Sequence, residues 1–322
     1  MKNQTVIEKI GQGNSVRLSN ILKKLVPYFG IAIIVILFTA LTGGKFLSLY
    51  NIELLVKQSI IVIIAGFGAT IVQAHGNMDL SLGGIIAASA VSGWMLGNIN
   101  PWLLIPGCII TGIIFSVIVG GIHVGARIPH FMVGLSMMFV GRGIAQSAFQ
   151  RGPMYTPYIF VGLDNIYFYL IVFIVVLILG YIVLEHTKIG RYNKLIGANP
   201  NAAKLSGISV NKYKMYAFIC TGFTVGLCAF LTMVRTGGVT QFTGAGRALD
   251  VVLALVIGGT SLSGGSDTKI HYVVIGALVL QFLSNGLILV GITPDLVEII
   301  RAVVFLGAVY FAYSKGSDQL IL

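Results

Sequence analysis

Residues 52–74 read IELLVKQSIIVIIAGFGATIVQA, and from Gln58 to Ala74 the run holds no charged residue. A chain crossing a hydrocarbon core about 30 Å thick as a helix needs about 20 such residues. In lipid every backbone N–H and C=O must be paired within the segment, so the run is a helix. A transmembrane barrel is excluded, because its strands alternate apolar and polar positions and this run is continuous.

Outward from this segment, comparable runs recur at 27–43, 84–98, 102–121, 131–149, 166–184, 214–234, 249–263, 271–291 and 297–313. Together they predict an all-α, polytopic transmembrane helical bundle of about ten spans. The runs at 84–98 and 249–263 are short and rich in Gly and Ser, which predicts broken segments there. Composition agrees: 56% of the 322 residues are hydrophobic and only 10% charged, against roughly 25% charged in a soluble domain. So little charge cannot coat a soluble protein of this length.

The net charge of +11 raises nucleic acid as a partner, but its distribution argues against that. With ten spans and a cytoplasmic N-terminus, Lys2, Lys9, Arg17, Lys23, Lys24, Arg127, Lys188, Arg191, Lys194, Lys204, Lys212, Lys214, Lys269 and Lys315 all fall inside. Only Lys45, Arg151, Arg235 and Arg247 fall in outer loops. That is the positive-inside pattern of a multi-pass membrane protein with both termini cytoplasmic. Membrane lipid is the implied surroundings, and no nucleic acid is needed.

The chain divides into a leader (1–26), a membrane domain (27–313) and a cytoplasmic tail (314–322). The leader lacks the apolar core and cleavage site of a signal peptide. Val16, Leu18, Ile21, Leu22 and Leu25 recur there at helical spacing beside Arg17, Lys23 and Lys24. This fits a short amphipathic helix on the inner membrane surface, or simply a polar leader. Cys108, Cys220 and Cys228 lie in apolar spans without Cys-x-x-Cys spacing and read as small hydrophobes.

No enzyme constellation emerges. His75, His123, His130, His186 and His271 are scattered, and Gly44-Lys45 is followed by Phe46, so the phosphate-cradling Gly-Lys-Ser/Thr motif is missing. No metal site is expected. If ATP drives this protein, another chain binds it.

The longest polar loop, 185–214, contains Asn199-Pro200-Asn201-Ala202-Ala203-Lys204-Leu205-Ser206-Gly207-Ile208. Asn199 is a good N-cap, Pro200 suits the first helical position, and Gly207 supplies a left-handed stop. A capped helix of about two turns is too short to persist alone in water. It is either a surface turn or an element that a soluble partner grips.

Two membrane segments are interrupted: Gly76-Asn77-Met78-Asp79-Leu80-Ser81-Leu82-Gly83-Gly84, and Gly258-Gly259-Thr260-Ser261-Leu262-Ser263-Gly264-Gly265. Transporters use broken helices to place irregular backbone at membrane depth. Polar side chains within spans are candidates for a solute path: Asn77, Asp79, Ser81, Arg142, Gln146, Asp250, Gln281 and Asn285. Asp79 either caps a half-helix or lines that path. Spacing of i, i+3 pairs Glu298 with Arg301 and Arg247 with Asp250. Asp79 is the one strong mid-membrane carboxylate, which weakens an ion-coupled secondary carrier or channel without eliminating it.

Taken together, Gly76 to Gly83, Gly134-Leu135-Ser136-Met137-Met138 leading to Arg142-Gly143, Gly197 to Ile208, Leu249-Asp250 with Gly258 to Gly265, and Asn285-Gly286-Leu287 before Gly291-Ile292 resemble the permeases of the ribose/galactose/xylose class of bacterial ABC importers. The resemblance implies a type II ABC-importer-like fold and a monosaccharide or similar polyol as solute. A nucleoside or furanosyl signal is the alternative within that class. It further implies a homodimer with a second permease copy, a cytosolic ABC ATPase that holds the ATP and Mg, and an extracytoplasmic solute-binding protein. Asn199, Pro200, Ala202, Ala203, Lys204, Leu205, Ser206 and Gly207 then form the segment coupled to the ATPase. Arg151, Arg235 and Arg247 are expected to dock the binding protein. The chain departs from the family pattern at Ala248, Ser266-Asp267 and Val297-Glu298, so the solute is not carried over.

Overall fold

Apolar runs become helices wherever the backbone has no water to bond, and glycine or proline punctuates them. The computed structural model describes residues 30–261 and 264–314. The expected leader over 1–26 and the tail from 315 lie outside the described residues. The helices are α1 (Gly30–Leu41), α2 (Leu49–Ala74), α3 (Leu82–Ile99), α4 (Leu104–Gly125), α5 (His130–Phe149) and α6 (Ile166–Tyr181). They continue with α7 (Lys188–Ala198), α8 (Pro200–Leu205), α9 (Val210–Thr236), α10 (Arg247–Gly258), α11 (Ile270–Leu289) and α12 (Pro294–Ser314).

Among the described residues, six helical stretches are long and apolar enough to cross a membrane: α2, α3, α4 with the turn before it, α6 with the π-helical turn after it, α9 and α11. The chain is thus an all-α membrane protein. The other four expected spans fall on α1, α5, α10 and α12. The expected 249–263 span is corrected most. Its helix stops at Gly258, because Gly259 turns left-handed at φ 106° and Thr260 N–H closes back on the Leu255 carbonyl. Twelve residues span about 18 Å, well short of the hydrocarbon core.

α2 and α9 form the buried centre, while α6 exposes an apolar surface that includes Ile171, Ile174 and Ile178. Lipid supplies no hydrophobic drive between helices, so close approach depends on small side chains. Gly222 and Gly226 of α9 meet Cys108, Ile109, Gly112 and Ile113 of α4 with nearly touching backbones. A Cβ on Gly226 would lie 2.6 Å from the Cys108 carbonyl oxygen, and Ser116 Oγ donates to the Phe218 carbonyl at 2.6 Å. At the opposite end from the 185–214 loop, β1 (Met154–Tyr155) pairs antiparallel with β2 (Gly238–Val239), tying two loops together.

Candidate functional site

The two interrupted motifs meet each other, at one end of the bundle. α2 ends at Ala74, and the Ala74 carbonyl accepts the Gly265 N–H at 2.9 Å. Gln73 Nε2 donates to the Ser261 carbonyl at 2.9 Å. Gly264 sits so close to residues 73–76 that a Cβ there would lie 2.5 Å from the Gln73 carbonyl oxygen and from the Gly76 nitrogen. Gly197, at the end of α7, also packs directly on the Ala74 carbonyl. The 185–214 loop and both breaks therefore share one junction.

From that junction the chain runs irregularly to α3, and Asp79 organises it. Asp79 Oδ1 accepts the Ser81 N–H at 2.8 Å and the Ser81 hydroxyl at 2.5 Å, and the carboxylate is fully buried. The carboxylate closes the turn before α3 on Ser81, the residue at that helix's N-cap position, and the first turn of α3 itself receives no side-chain capping bond. Ser81 is buried beside it and Asn77 half-buried.

The other polar candidates separate into two groups. Asp250 on α10 binds Arg247 (3.5 Å) and Arg301 (3.1 Å), and Arg301 Nε donates to Ser284 Oγ at 2.6 Å. Arg247 pairs as its spacing predicts. Arg301 does not pair with Glu298, because α12 packs on α10 and α11 and turns Arg301 toward them, leaving Glu298 exposed. Asn285 and Asn51 exchange two hydrogen bonds of 3.0 Å, and Gln281 is buried one turn away. Sequence reasoning passed over Asn51 and Ser284, whose signal was only a polar side chain in an apolar run. Arg142 and Gln146 stand apart, exposed on α5, whose Gly141 packs against Gly84 on the opposite face. A single chain does not gather these candidates into one chamber.

The short helix forms as its caps dictate. Asn199 Oδ1 accepts the N–H groups of Asn201 and Ala202, both at 3.0 Å, and Gly207 turns left-handed at φ 79°. Orientation was not legible in the sequence. Ala203 faces the protein at 5% exposure, while Leu205 is 91% exposed. Sequence reasoning also missed α7 before it, whose local signal is Thr187 capping the Ile189 N–H at 3.1 Å.

At the far end Arg151 is exposed, but Arg235 is half-buried and Arg247 is engaged by Asp250. Of the three expected docking arginines, Arg151 is the fully exposed one.

A helical membrane bundle with polar side chains at broken helix ends, and a capped loop helix beside them, defines a membrane transport component. The chain belongs to the family described as branched-chain amino acid transport system / permease component, whose model matches residues 51–309. The ribose import permease protein RbsC of Escherichia coli (strain K12) is 32% identical over 293 residues, covering 86% of this chain and 90% of that protein. RbsC of Bacillus subtilis (strain 168) is 31% identical, covering 94% and 96%. The galactofuranose transporter permease protein YtfT of E. coli (strain K12) is 28% identical, covering 79% and 77%. No solved structure matches the chain. The resemblance drawn from the motifs is confirmed: the chain is a transport subunit of the permease kind, not an enzyme.

Proposed function

We propose that the chain is the permease subunit of an ATP-binding-cassette importer that carries a monosaccharide or similar polyol inward by alternating access. The six Lys and Arg residues of the 185–214 loop support a cytoplasmic position for that loop and, on the expected topology, for both termini. A separate ATPase holds ATP and Mg, and this chain carries no cofactor. The relatives named for ribose and galactofuranose import support a sugar as solute.

One observation carries the coupling: α8, six residues long and capped at both ends, presents Leu205 almost wholly to the outside beside the junction of both breaks. An exposed leucine on a short rigid helix suits a groove on a partner. The working unit is a dimer. A guanidinium at membrane depth must face a partner or a water-filled path, and Arg142 and Gln146 on the exposed face of α5 suit the surface between two copies. The buried residues Asp79, Ser81, Asp250, Gln281 and Asn285 hold the walls of that path in place, with Asn77 at its inner end. Arg151, with Arg235 and Arg247 behind it, forms the outer surface for a solute-binding protein.

The test is uptake in proteoliposomes containing this chain with a cognate ABC ATPase and solute-binding protein. ATP-dependent uptake of D-ribose or another monosaccharide is expected. Uptake by the chain alone, driven by a proton or sodium gradient, refutes the reading in favour of a secondary carrier.

A further inference from the structure

Three of the five histidines, drawn from three helix ends, converge on one phenylalanine. The rings of His130, His75 and His123 lie 5.0, 5.9 and 6.2 Å from the Phe218 ring centroid, each edge-on or tilted. They come from the end of α2, the end of α4 and the start of α5, on the membrane side of the basic 185–214 loop. Asn77 Nδ2 bridges His75 Nδ1 (3.0 Å) and His123 Nε2 (3.2 Å), and the other nitrogen of His123 donates to the Ile128 carbonyl at 2.8 Å. In this arrangement Nδ1 of His123 donates and Nε2 accepts.

Most of the cluster is buried and its polar groups are not all satisfied. His130 and Asp79 are each 3% exposed and His75 5%, while His123 is half-buried at its edge. Both nitrogens of His130, Nε2 of His75 and Oδ2 of Asp79 have no hydrogen-bond partner. His130 Nε2 stands 3.6 Å from Asp79 Oδ1, too far for a hydrogen bond. Buried polar atoms are nearly always paired, so four orphans in one place call for a cause. The charged groups beside the rings are Asp79, whose carboxylate stands 3.6 Å from His130, and Lys214, one turn before Phe218 on α9, which opposes a proton on His75.

We propose that this cluster is a proton-binding site that holds the start of α9 against α4 and α5 while its histidines are neutral and releases it when they are protonated. Burial, with Lys214, holds His75 well below its ordinary value. Once opened to water the rings titrate near the free-histidine value of about 6.5. Opening therefore takes up protons. The closed state is fully favoured above pH ~6.5 and loses about tenfold per pH unit, per proton taken up, as pH falls below it. The start of α9 follows directly on α8, so release alters the element that carries the coupling helix.

Hydrogen–deuterium exchange of the full chain in nanodiscs, corrected for the intrinsic pH dependence of exchange, tests this. Between pH 7.5 and 5.5 the opening constant of peptides covering 123–134 and 210–218 should rise about tenfold or more, while the core of α9 at 224–234 stays flat. The triple variant His75→Asn, His123→Asn, His130→Gln should lose that response. A flat profile in the unmodified chain, or an unchanged acid response in the triple variant, overturns the proposal. If the triple variant fails to fold, the single variants His75→Asn, His123→Asn and His130→Gln decide: a smaller acid response in at least one supports the site, and an undiminished response in all three overturns it.

Discussion

Replacing Leu205 separates coupling from folding. Leu205 is 91% exposed, so Leu205→Ala removes almost no packing within the chain and should shift its stability by less than about 0.5 kcal/mol. Burying a leucine side chain in a partner groove contributes about 1.5–3 kcal/mol. Losing about 2 kcal/mol of that weakens the contact roughly 30-fold, at 1.4 kcal/mol per factor of ten. Leu205→Asp should weaken it further, because a carboxylate must be desolvated in the groove. Ala203→Asp acts elsewhere. Ala203 is 5% exposed and faces its own chain, so the new charge costs the permease itself about 3 kcal/mol or more. The assay is ATPase binding to the permease in nanodiscs, with the melting temperature of the permease alone and uptake by the assembled transporter. Leu205→Ala should melt normally, bind weakly and transport slowly, whereas Ala203→Asp should melt early. Unmodified affinity and uptake in Leu205→Ala refute the proposed docking face.

Asp250→Asn leaves Arg247 and Arg301 without their shared counter-charge. It should cost about 3 kcal/mol, read as a lower unfolding temperature by a thiol-reactive dye that reports the buried Cys108 and Cys228; an unchanged midpoint contradicts this. Arg151→Glu should slow association with the solute-binding protein at low salt and have little effect at high salt, as expected for a rim charge. Equal rates at both salt concentrations remove Arg151 from the interface. The purified chain alone should neither bind nor hydrolyse ATP, since Phe46 interrupts the only Gly-Lys start of a phosphate loop; specific nucleotide binding by calorimetry counts against that.

The sequence by itself determined the class of structure and its local punctuation. The run from Gln58 to Ala74 had to be a helix because lipid offers its backbone no partner. Asn199, Pro200 and Gly207 had to bound a short helix because a cap acts within three or four residues of itself. The Arg247–Asp250 pair was legible for the same reason, as one turn of one helix.

What joins distant segments was decided only by tertiary structure. Arg301 sat one turn from Glu298, yet helix packing delivered it to Asp250 on α10. Ala203 and Leu205 looked alike as members of a capped helix, and only the rotation of α8 on α7 and α9 put one inside and the other out. Gly222 and Gly226 on α9, with Cys108, Gly112 and Ser116 on α4, showed small residues at every fourth position, but not which helix they would meet. The histidines read as scattered because whole helices separate His75 from His123 and His130, and all three from Phe218. Only the packing of α9 between α2 and α4 closed them around one ring.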